Sequence, residues 1–92
     1  MATITVTIKS PSRNALLDWD GKNQPLTNSG GTYTATFPAA AGAHDYQISV
    51  WGAPGEAWTA TVAGGITTTN HAGHMSSSNG WDGTPDVPYA VV

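Results

Sequence analysis

Two histidines carry the most recognisable chemical spacing in this chain. His71 and His74 stand three residues apart, next to Asn70. Imidazoles so spaced can share one metal ion, and Asp82 or Asp86 could complete the ligand set. Asn79, Asp82 and Asp86 surround Trp81 with side-chain oxygens, and glycines lie on both sides. Calcium takes carboxylate and carbonyl oxygens from loops of this kind. Yet two carboxylates are few for calcium, EF-hand spacing is absent, and Asp and Asn favour turns for purely local reasons. The expectation is a chain that needs no metal and no cofactor. The candidate metal ligands are His71 and His74 with Asp82 or Asp86 for an imidazole-bound ion, and Asn79, Asp82 and Asp86 for calcium.

Covalent catalysis finds little to work with. There is no cysteine, and Ser76, Ser77 and Ser78 follow His74 without a Gly-x-Ser-x-Gly elbow. Asp18 and Asp20 would share a strand face about 7 Å apart, and a strand entering a turn places such acids in solvent. No residue is assigned a catalytic role, and the chain is read as a non-enzyme.

The tryptophans say more. Trp19 and Trp58 fall in phase with alternating apolar positions and belong to the core. Trp51 breaks phase: it shares parity with Asp45, Gln47 and Ser49, so it points to the polar face. Trp81 sits between Gly80 and Asp82. An exposed indole beside Asn and Asp suits a sugar, whose apolar face stacks on the ring while amides and carboxylates bond its hydroxyls. The same pairing suits a protein contact, where Trp is a favoured anchor. The expected ligand-binding residues are therefore Trp51, Trp81, Asn79 and Asp82.

The elements that would position these side chains alternate with a period of two. Ala2–Lys9, Asn14–Asp20, Thr32–Phe37, Asp45–Trp51 and Trp58–Val62 read as half-buried strands. A short strand is expected around Ile66–Thr69, and a last one over Tyr89–Val92, after Pro85 and Pro88 have interrupted pairing. The common inward phase selects Ile4, Val6, Ile8, Leu17, Trp19, Tyr33, Phe37, Tyr46, Ile48, Val50, Trp58 and Val62 as the core. Asp20-Gly21 has the chemistry of a tight hairpin, and Gly or Pro-Gly clusters separate the other runs. No window carries a helical stripe. These features predict one all-β domain over residues 1–92, a small antiparallel β-sandwich of six or seven strands, with a small β-barrel as the alternative. Residues 64–88, rich in Gly, Ser, Thr and Asn, are expected to form one long loop. His44–Val62 resembles a strand–turn–strand unit of an immunoglobulin-like module, although the Cys…Trp…Cys signature of antibody domains is missing.

Composition narrows the partners. Three basic residues against six acidic ones give a net charge of −3, and Lys9, Arg13 and Lys22 all lie near the start. Without a basic stripe, neither a nucleic-acid backbone nor an anionic membrane surface is served. No stretch approaches the length of a membrane span. Sparse charge with much Thr, Gly, Asn and Trp is the composition of an extracellular or cell-surface protein, yet Met1 leads directly into a strand pattern without signal-peptide features. The expected function is a non-catalytic binding or structural module. It would act in protein–protein interaction, self-association or as a subunit of a surface or particle assembly. The alternative is a carbohydrate-binding, lectin-like module.

Overall fold

The computed structural model describes residues 2–10 and 14–92 and contains no helix. The described residues form ten strands in order: β1 (Ala2–Lys9), β2 (Asn14–Trp19), β3 (Lys22–Gln24), β4 (Thr27–Ser29), β5 (Thr32–Ala39), β6 (Gly42–Trp51), β7 (Ala57–Ala63), β8 (Thr69–His74), β9 (Trp81–Gly83) and β10 (Val87–Val91). They make two antiparallel sheets packed as a sandwich. Sheet A runs β4-β5-β1-β7-β8, and sheet B runs β10-β6-β2-β3 with β9 also paired to β6. Hairpins stay within a layer (β2–β3, β4–β5 and β7–β8), and the β3–β4, β5–β6, β6–β7 and β8–β9 connections cross between layers. Asp20 (φ 52°) and Gly21 (φ 77°) both lie in the left-handed region, which lets the two-residue β2–β3 turn follow the strand twist.

The alternation builds the layers. Along β1 the isoleucines and valine point inward and the threonines outward, and the other long strands follow suit. All twelve residues of the inward phase are buried, and Ala15, Ala35, Ala39, Ala60, Met75, Tyr89 and Val91 join them. Trp19 anchors an aromatic cluster, stacked on Tyr46 (6.1 Å, 2° between planes) and edge-on to Phe37 and Tyr89. On the outer face of sheet A, register aligns Thr27, Thr34, Thr7 and Thr61 in one row across four strands.

Residues 64–88 differ most from expectation. Instead of one long loop they contain β8, β9 and the start of β10. The expected strand at Ile66–Thr69 is displaced, because β7–β8 pairing sets Thr69 against Val62 and leaves 63–68 as the connection. Ile66 stays exposed there. The Tyr89 hydroxyl ties this connection down, donating to the Thr67 carbonyl oxygen (2.7 Å) and accepting from Gly65 N–H (3.0 Å). Pro85 and Pro88 do not end pairing either. Pro88 sits in register with Asp45 inside β10. Between the Ser49–Gly83 and Tyr46–Val87 pairs, three steps along β6 face four along the other strand, so one extra residue bulges out near Pro85. A proline with no N–H to donate suits such a bulge.

Candidate functional site

The outer face of sheet B brings the two out-of-phase tryptophans together. Trp51, the last residue of β6, lies directly opposite Trp81, the first residue of β9. Directly opposed residues in a sheet share a face, with Cβ atoms about 5 Å apart. Trp51 is half-buried and Trp81 is 43% exposed. Their row continues to Asn14 on β2, and the next row holds Leu16, Ser49 and Gly83. A third carries Asn23, Asp18 and Gln47. The result is an indole pair with an exposed Leu16 beside it and neutral amides and hydroxyls in the adjoining positions.

Two glycines make this arrangement. Gly80 has φ 66°, and a Cβ there would overlap the Gly52 carbonyl oxygen, while Gly52 N–H donates to Gly80 O at 2.8 Å. Only glycine tolerates both the conformation and the approach, and this contact delivers Trp81 to its place beside Trp51. Gly83 supplies the floor. A Cβ on Gly83 would lie 3.2 Å from Cζ2 of Trp81, so the indole leans along its own strand over the bare glycine.

The segment leading into the site is tied rather than open. Ser76 N–H donates to Trp81 O (2.8 Å) and Gly80 N–H to Ser76 O (3.0 Å). Asn79 is exposed, and its Oδ1 accepts from Trp81 N–H at 3.3 Å. Its carbonyl oxygen is thus engaged with the local turn. Asp82 departs further from the expected role. It pairs with Val50, so it points toward the interior, and its Oδ2 accepts from Trp58 Nε1–H at 2.7 Å. Gly73 of β8 makes room for this bond, since a Cβ there would strike the carboxylate. Asp82 therefore serves an indole of the core.

The metal candidates are dispersed. His71 and His74 are an odd number of residues apart on one strand, and strand side chains alternate. His71 is accordingly half-buried on the inner side and His74 exposed on the outer side. His71 Nε2 lies 2.6 Å from the Tyr46 hydroxyl. Burial lowers the His71 pKa and raises that of Tyr46 to about 12. Asp86 is exposed near the bulge. Among the described residues no three His, Asp or Glu side chains gather as a metal-binding group.

One further polar pair escaped sequence reading. His44 Nδ1 lies 2.6 Å from Asp20 Oδ2, and its Nε2 lies 2.7 Å from the Ala40 carbonyl oxygen. Both nitrogens face acceptors, a setting that favours the doubly protonated ring. The Asp20 hydrogen bond, then that from Ala40, raises the His44 pKa, while the bond to His44 lowers that of Asp20. The ring lies over Trp19 at 5.3 Å. No pocket opens among the described residues, and no described helix could cross a membrane. No protein-family model, curated protein or solved structure matches the chain.

Proposed function

We propose that this chain is a non-catalytic binding module that meets its partner with the outer face of sheet B. One observation carries the reading: Trp51 and Trp81 form a cross-strand pair on the outer face of sheet B, with Trp51 half-buried and Trp81 43% exposed. Indoles are effective contact anchors, because one rigid side chain covers much area with few bonds to freeze. A small, polar domain gains nothing from wet indoles, and exposed apolar patches on such proteins mark contacts.

The spent histidines support a role without catalysis. Both His44 nitrogens have acceptors, and His71 Nε2 is engaged by Tyr46. The rows around the indoles hold no Lys or Arg among the described residues, which speaks against a nucleic-acid backbone.

Stability measurements on Trp51→Ala and Trp81→Ala test the reading. Each should unfold within about 1 kcal/mol of the parent, the scale of one cross-strand pair. Trp58→Ala should lose about 3–5 kcal/mol, as for a buried aromatic. Outer-face variants that unfold as readily as Trp58→Ala would make the indoles structural caps and end the proposal.

A further inference from the structure

Resting on that contact face, we infer that its ligand is a neutral polysaccharide of hexopyranose units, stacked on Trp81 and Trp51. Four observations point the same way. First, the Trp81 indole lies beside Gly83 on the outer face of sheet B and is 43% exposed, which leaves ring surface for the apolar face of a pyranose. Second, the positions beside the pair are neutral. Ser49 and Gln47 carry hydroxyl and amide groups that both donate and accept, and Asn14, whose Oδ1 accepts from Ala15 N–H, carries an amide that donates, matching sugar hydroxyls. Third, these rows contain the carboxylate of Asp18 and no described cation, which disfavours acidic glycans and leaves neutral ones. Fourth, the surface is open rather than pocketed, and an open face suits an extended chain better than a single small molecule.

An aromatic side chain offers about 150–250 Å² in all, so Trp81 at 43% exposure presents on the order of 100 Å². Leu16 and the accessible part of Trp51 enlarge this to a patch wide enough for one or two sugar rings.

Affinity electrophoresis of the purified chain tests the inference directly, in gels containing hydroxyethylcellulose, barley β-glucan, galactomannan or dextran. At least one neutral glycan should retard the parent chain. Trp81→Ala should lose at least tenfold in affinity, Trp81→Tyr should retain part of it, and Thr59→Ala on the opposite sheet should bind as the parent does. Circular dichroism melting of each variant separates lost binding from lost fold. No retardation by any of these glycans overturns the inference, as does retardation that Trp81→Ala leaves intact in a folded protein. Sedimentation velocity distinguishes the two levels of the argument. Trp81-dependent self-association without glycan retardation would reject the sugar while keeping the contact face. Failure of the contact face itself would appear as Trp51→Ala and Trp81→Ala unfolding like Trp58→Ala.

Discussion

Removing the Asp82 carboxylate should damage the fold. Trp58 is 3% exposed, and its Nε1–H has Asp82 Oδ2 as acceptor at 2.7 Å. In Asp82→Ala that donor loses its partner, and a buried donor left unsatisfied costs about 1–3 kcal/mol. The acceptor carries a charge, which places the loss near 2 kcal/mol. For a domain of this size each kcal/mol moves the midpoint by roughly 4–8 °C, so Tm should fall by about 8–16 °C. Asp82→Asn keeps a carbonyl oxygen in reach and should lose about half as much. Urea unfolding followed by circular dichroism measures these differences, and a cycle with Trp58→Phe isolates the bond. Trp58→Phe deletes the donor, so adding Asp82→Ala should then cost far less than it does in the parent. A loss below about 0.5 kcal/mol for Asp82→Ala, or strict additivity in the cycle, would refute the assignment. It would also return Asp82 to the set of free ligand residues.

Other outcomes follow from the same geometry. Ile48 is fully buried at the centre of β6, so Ile48→Ala should cost about 2–4 kcal/mol in urea unfolding. The two part-buried histidines should tilt the pH profile in opposite directions. His44 has a raised pKa when folded, so its contribution is complete below the unfolded value near 6.5 and is lost as pH rises through the folded value. Its partner is well exposed, so this amounts to at most about 1 kcal/mol. His71 has a lowered pKa when folded, so its contribution is present above about 6.5 and is lost as pH falls below that value. Melting curves from pH 5 to 8 should therefore lose their alkaline decline in His44→Gln and their acid decline in His71→Gln.

What could be read in the sequence was whatever depends on side-chain parity. Alternation is a property of neighbours along one strand, so β1, β2, β5, β6 and β7 and their inward residues were legible, as was the outward turn of Trp51. Three-residue strands such as β3, β4 and β9 carry too short a pattern to stand out from turns. β8 was hidden for another reason: its inward positions are Thr69, His71 and Gly73, polar or bare residues at a sheet edge. Its burial comes from partners elsewhere, Tyr46 for His71 and the Trp58–Asp82 pair for Gly73.

The candidate site divides along the same line. Composition and phase single out Trp51 and Trp81 from the sequence alone, because each stands outside the alternation that builds the core. Only the tertiary structure decides that they are neighbours. They are thirty residues apart, and their pairing depends on the register of β9 against β6, set by the Gly52–Gly80 contact and the bulge at Pro85. The same register turns Asp82 inward to Trp58, and the β2–β6 register brings Asn14 and Leu16 beside the indoles. A one-residue shift in pairing exchanges the two faces of a strand, so the roles of these residues rest on long-range register, which local residue order does not encode.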